Sequence, residues 1–99
     1  SFALYQNYPN PFNPTTQLCF DLPVNSRVRL SLFNTLGQEV LRMLDDVDYP
    51  AGAQTFVWNG SDKLGNALSS GVYFYRISAV PYDQHQEPFS QSRKLILVK

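Results

Sequence analysis

Arg27-Val28-Arg29-Leu30-Ser31-Leu32 decides the fold. Polar and apolar residues alternate without a break, so an extended chain here has one apolar face and one polar face. A helix would scatter the same apolar residues around its circumference. Asn34-Thr35-Leu36-Gly37 follows directly. Gly37 supplies a positive φ at low cost, so this run predicts a hairpin turn. Upstream, Leu18, Phe20 and Leu22 alternate with Gln17, Cys19 and Asp21. Pro23-Val24-Asn25-Ser26 joins the two alternating runs as a turn.

Residues 38–48 read two ways. Val40, Leu41, Leu44 and Val47 have helical spacing and sit among good helix formers. The tight turn at Gly37 asks instead for an antiparallel return strand, and the strand is the preferred reading. Tyr49-Pro50-Ala51-Gly52 breaks the chain again, Thr55 to Trp58 reads as a strand, and residues 59–66 form a turn-rich loop. Val72-Tyr73-Phe74-Tyr75-Arg76-Ile77 is apolar on both faces, which suits a central strand. A polar loop over 81–91 precedes a closing strand from Lys94 to Val98. The pattern predicts an all-β chain of about seven short strands, an antiparallel β-sandwich of immunoglobulin-like type. Cys19 is the one cysteine. The sheets therefore have no disulfide between them and are held by packing.

The first fifteen residues are punctuated by Pro9, Pro11 and Pro14, which exclude helix and favour extended or polyproline-like backbone. Phe2, Leu4, Tyr5, Tyr8 and Phe12 are interleaved with them. That is too aromatic for a linker. The expected organisation is a single domain over 1–99, with a rigid lead-in over 1–15 packing its rings onto a sandwich over 16–99. A chain of 99 residues has room for one core and no second. Nothing at the start reads as a signal peptide, and an opening without Met fits a piece of a longer exported precursor.

Eight basic residues balance eight acidic ones. A surface that tracks phosphates needs a basic excess, so nucleic acid is not the expected partner. No apolar run reaches the roughly twenty residues of a spanning helix.

Few side chains here suit catalysis or metal binding. Nucleophilic catalysis needs a base beside the nucleophile. The one histidine, His85, lies in the polar loop and reads as solvated. Cys19 faces away from Leu18 and Phe20 and reads as a small space-filler. Asp45, Asp46 and Asp48 crowd one local segment and do not face each other across a cleft, so they read as a solvated strand end. Asn59, Ser61, Asp62 and Asn66 offer oxygens for calcium, but at the wrong spacing for the twelve-residue loop. Asx-turns explain them without an ion. No metal, cofactor or catalytic residue is therefore expected, and the chain is not expected to be an enzyme. Trp58, Tyr73 and Tyr75 would form a sugar platform if they were exposed together.

Two longer runs carry a resemblance. Gln6-Asn7-Tyr8-Pro9-Asn10-Pro11-Phe12-Asn13-Pro14-Thr15-Thr16 resembles the opening of the type A C-terminal sorting domains of the type IX secretion system. Phe20-Asp21-Leu22-Pro23, the run from Val28 to Val40, Trp58-Asn59-Gly60 and Ser70-Gly71-Val72-Tyr73-Phe74-Tyr75-Arg76 match that family in order. Arg93-Lys94-Leu95-Ile96-Leu97-Val98-Lys99 matches its closing strand. The stretch over 81–91 is longer than the family's usual hairpin, and Asn59 stands where the family more often has Asp.

The resemblance implies an address label at the end of a larger exported protein of a Gram-negative bacterium of the Bacteroidota or relatives. Such a label follows a passenger domain in the same precursor. It directs that passenger from the periplasm through the outer-membrane translocon, meets shuttle and sortase proteins, and is usually removed at the cell surface. The passenger ends secreted or on the surface, and the label catalyses nothing. The parts tied to export in the family place Gly71, Tyr73, Lys94, Leu95, Leu97 and Lys99 forward as recognition residues. A closing strand with basic ends and an apolar middle suits strand addition or groove insertion. The same strand pattern also resembles the immunoglobulin-like module of flagellar hook-capping proteins. That keeps a structural module, or a carbohydrate-binding accessory module, as alternatives.

Overall fold

The computed structural model describes residues 1–98. Among these, strands β1 (Ala3–Leu4), β2 (Thr16–Leu22), β3 (Ser26–Phe33), β4 (Glu39–Tyr49), β5 (Gly52–Trp58), β6 (Gly71–Pro81) and β7 (Phe89–Leu97) form two antiparallel sheets. One sheet has the order β1-β2-β5 and the other β4-β3-β6-β7. This is the all-β sandwich that the alternating runs predict, and its single cysteine is free.

The inner faces are the apolar faces of those runs. Leu18, Phe20 and Leu22 of β2 meet Val28, Leu30 and Leu32 of β3 and Tyr75, Ile77 and Ala79 of β6 in one buried cluster. β6 lies between β3 and β7, the central position expected of it, although only its inner face is buried. Its register sets Leu32 opposite Tyr75 and Leu30 opposite Ile77.

The segment with helical spacing is strand β4. Its register on β3 pairs Leu32 with Leu41, Leu30 with Leu44 and Val28 with Val47. Steps of two on β3 are thus matched by steps of three on β4. Bulges insert the extra residues, and Asp46 adopts φ +54° in this stretch. Irregular pairing, not a helix, produces the spacing.

The lead-in is part of the sandwich. β1 pairs with β2, Tyr8 bridges Gln17, and Leu4 and Phe12 are buried. Phe2 stacks on Phe89 with ring centroids 5.0 Å apart. Tyr5 and Tyr8 instead turn their rings to solvent, and the Tyr5 hydroxyl donates to Asp21. The expectation of rings packed inward therefore holds for Phe2 and Phe12 and not for these two tyrosines. Residues 9–11 and 13–14 bend where extended backbone is expected, and the peptide bonds before Pro9, Pro11 and Pro14 are cis.

Candidate recognition surface

Three segments converge at one end of the sandwich. The lead-in supplies Phe12, the loop after β5 supplies Gly60, and β7 supplies Leu97. Phe12 packs on Trp58 with ring centroids 5.6 Å apart, tilted at 53°. The Trp58 indole N–H donates to the Ser61 carbonyl at 3.0 Å, which ties the ring to its own loop. Gly60 has φ +77°, and a Cβ there would lie 3.1 Å from the Pro14 carbonyl oxygen. Only glycine lets the loop approach the lead-in this closely.

The lead-in also runs along the outer edge of β7. The Phe12 N–H donates to the Ile96 carbonyl at 3.0 Å, and the Val98 N–H donates to the Phe12 carbonyl at 2.9 Å. The Ile96 N–H donates to Asn10 Oδ1 at 2.9 Å. Gln6 Nε2 donates to the Lys94 carbonyl at 2.7 Å. β7 is an edge strand, as read, but its edge from Lys94 to Val98 is already occupied. Strand addition at that stretch, the mechanism read from the closing run, has no free template in the folded domain.

A buried polar knot holds the lead-in in place. The Tyr75 hydroxyl donates to the Tyr5 carbonyl at 2.8 Å and accepts from the Asn7 N–H at 2.8 Å. Asn7 Nδ2 donates to Thr16 Oγ1 at 3.0 Å, and Thr16 Oγ1 donates to the Pro9 carbonyl at 2.8 Å. Burial raises the Tyr75 pKa to about 12, against the opposing pull of the Asn7 N–H and the nearby Arg93. Asn7 and Thr16 belong to the opening motif, yet nothing in their polarity marks them as buried. The signal was the motif itself, a run of small polar residues between prolines and aromatics.

The six recognition candidates fall into different settings. Gly71 opens β6 opposite Leu97, and Tyr73 stands opposite Leu95. Tyr73 is half-buried against the core, and its hydroxyl donates to the Ser69 carbonyl at 2.7 Å. Leu95 and Leu97 are buried core residues. Their side chains hold the strand and do not face a partner in the folded domain. Lys94 is exposed, and Lys99 lies outside the described residues.

The accessible neighbours are on the outer face of the four-stranded sheet. Val72 pairs with Ile96 and Phe74 with Lys94 across β6 and β7, and Phe33 of β3 pairs with Phe74. Val72, Phe74 and Val98 are 37%, 38% and 44% exposed. Together with Lys94 they make an apolar stripe with a cation set in it.

The remaining candidates take local roles. Trp58 and Tyr75 are 4% and 0% exposed, so the sugar platform they would form with Tyr73 does not exist; both rings were needed for the core. Asp62 Oδ1 accepts from the Leu64 and Asn66 N–H groups, each at 2.9 Å, and Asn59 Oδ1 accepts from the Ser61 N–H at 3.1 Å. These are Asx-turns. Asp46 pairs with Arg29 at 3.1 Å, Asp45 with Arg42 at 3.3 Å and Asp48 with Arg27 at 3.9 Å, all at the surface. His85 lies 3.2 Å from Asp83 in the exposed β6–β7 loop. The Cys19 sulfur lies 3.6 Å from Thr55 Oγ1.

The model of the FlgD Ig-like domain matches residues 11–82, from Pro11 in the lead-in to Tyr82 just past β6. The chain belongs to that family. Two solved structures share its fold. Dimeric latent PorU from Porphyromonas gingivalis superposes with a TM-score of 0.73 at 17% identity, over 96% of this chain and 9% of that one. PorZ, described as an essential bacterial surface component of the type-IX secretion system of the same organism, gives a TM-score of 0.55 at 17% identity. That match covers 98% of this chain and 12% of PorZ. The chain thus spans about a tenth of the length of either protein. No curated protein shows a significant match to it.

Proposed function

We propose that this Ig-like domain is a C-terminal sorting signal of the type IX secretion system. It carries a passenger through the outer-membrane translocon to the cell surface or the medium, and catalyses nothing itself. The observation that supports this reading best is the clasp between Asn10–Phe12 and Ile96–Val98. The opening and closing motifs of the sorting family, far apart in sequence, meet there and build one surface. The fold shared with PorZ is in keeping with the same system.

Recognition falls on side chains a partner can reach, Lys94 and Ile96 with Val72 and Phe74 beside them. Gly71, Tyr73, Leu95 and Leu97 position that face from within. The partners are the translocon, its shuttle protein and the surface sortase, and the passenger precedes the domain in one precursor.

The test is a transplant. Residues 1–99 are fused behind a periplasmic fluorescent reporter in a host with type IX machinery. Export of the reporter, with loss of the domain's 11.3 kDa on mass spectrometry, is the expected result. Retention in the periplasm, while an established sorting domain exports the same reporter, would contradict it. A structural module, the reading favoured by the family match alone, would then lead.

A further inference from the structure

The two sheets have four edges, and three are protected over all or part of their length. β1 is only two residues long. β7 carries the lead-in along its C-terminal half. β4 is bulged, with shifts near Val28, Leu30 and Leu32 of its partner, and bears Glu39, Arg42, Asp45, Asp46 and Asp48. Short length, cover, bulges and charge are the devices that stop edge-to-edge pairing. β5 has none of them. Gly52-Ala53-Gln54-Thr55-Phe56-Val57-Trp58 has no charge and no proline, and its register on β2 is unbroken from Gly52 to Trp58.

The direction of its main chain follows from β2. Cys19 and Gln17 direct their main-chain groups toward β1 and Tyr8, so the even residues of β2 bond to β5. In an antiparallel ladder the bonded pairs then involve Gly52, Gln54, Phe56 and Trp58. Ala53, Thr55 and Val57 turn their N–H and C=O groups outward, and no hydrogen bond reaches them among the described residues. Beside this edge, Leu41 and Met43 of β4 face Phe56 and Val57 across a groove of about 400 Å³. Val57 is 59% exposed.

We propose that β5 is a self-association edge, and that its occupant is the β5 of a second copy of this chain. Antiparallel pairing across a two-fold axis at Thr55 sets Thr55 opposite Thr55 and Ala53 opposite Val57. Each copy's outward N–H groups then meet the other's outward C=O groups. Every facing pair is uncharged, and Thr–Thr is a favourable cross-strand pair. With eight basic and eight acidic residues, the two copies carry no net repulsion. On the inner side, the second copy's Gln54 comes opposite Phe56, at the rim of the groove. Such pairing does not depend on the sorting role.

Sedimentation equilibrium tests it at roughly 10 μM to 1 mM, the range expected for a small edge contact. The expected mass rises from 11.3 kDa toward twice that value. Hydrogen exchange should slow at Ala53, Thr55 and Val57 as concentration rises. Thr55→Pro removes an N–H that β2 does not use, and Thr55→Lys puts like charges at the axis; both should stay monomeric. If Thr55→Pro does not fold, Thr55→Lys alone decides, with circular dichroism as its folding check. A chain monomeric throughout, a dimer kept in Thr55→Lys, or new protection at another edge would each overturn the assignment.

Discussion

Phe12 runs parallel to Leu97 as a bridge between the opening and closing segments of the chain. Its N–H and C=O bond to Ile96 and Val98, and its ring packs on Trp58. One residue of the lead-in therefore ties the last strand to the loop after β5. Phe12→Ala should cost about 3–5 kcal/mol, because the ring is buried and leaves a cavity that the clasped ends cannot close. Urea unfolding measures it. A loss within the small range typical of a surface substitution would show that the lead-in is not part of the core.

Gly60 and Gly37 provide a matched pair. Both have positive φ, +77° and +81°. At Gly37 nothing lies near a new Cβ, whereas at Gly60 it meets the Pro14 carbonyl at 3.1 Å. Gly37→Ala should cost about 1 kcal/mol from backbone strain alone. Gly60→Ala should cost about 1–3 kcal/mol more from the clash with the lead-in. Thermal unfolding of the two variants side by side gives the order.

Tyr75 makes the knot sensitive to alkali. Its folded pKa is about 12 against an ordinary 10.0, because burial disfavours the phenolate. Below pH 10 both states are neutral and stability is unaffected. From 10 to about 12 the unfolded chain releases a proton that the folded chain keeps, so stability falls through that window. The loss is on the order of 2 kcal/mol. Tyr75→Phe should remove this contribution to the slope. At neutral pH the same change strands the Asn7 N–H and the Tyr5 carbonyl, at a cost of about 1–3 kcal/mol. Unfolding curves on both sides of pH 10 separate the two effects.

The oxygen-rich loop after β5 should not need an ion. Asp62 Oδ1 is engaged by two backbone N–H groups. Asp62→Ala should cost about 1 kcal/mol, the worth of exposed hydrogen bonds. Calcium and a chelator should both leave the Tm of the wild-type chain unchanged.

Strand alternation made β2, β3 and β6 legible, because each buries one face or both in register with its neighbours. β4 was harder. Its bulges stretch the period from two to three, and Leu41, Leu44 and Val47 then mimic a helix. The turn at Gly37 was the stronger signal: the Gly37 N–H donates to the Asn34 carbonyl and the Asn34 N–H to the Gln38 carbonyl, which closes the hairpin, and Asn34 Oδ1 caps it by accepting from the Leu36 and Gln38 N–H groups. The closing strand was found, but its start was not. Ser90–Arg93 is polar on both sides and shows no alternation that a sequence can reveal. The covered edge of β7 was also invisible, since it depends on Gln6, Asn10 and Phe12 returning to a strand more than eighty residues away. Leu95 and Leu97 stood out by motif, but their burial reserves them for the core and leaves Lys94 and Ile96 outward.

That outward pair offers the most direct measurement of the sorting account. Lys94→Glu with Ile96→Glu changes the outer face and leaves Leu95, Leu97 and the Phe12 clasp in place. The exported fraction of the reporter fusion is compared between this double variant and the wild-type domain, with thermal unfolding as the check that both are folded. The expected result is export of the wild-type fusion and periplasmic retention of the folded variant. Equal export of both, or retention of both while an established sorting domain exports the same reporter, would contradict it.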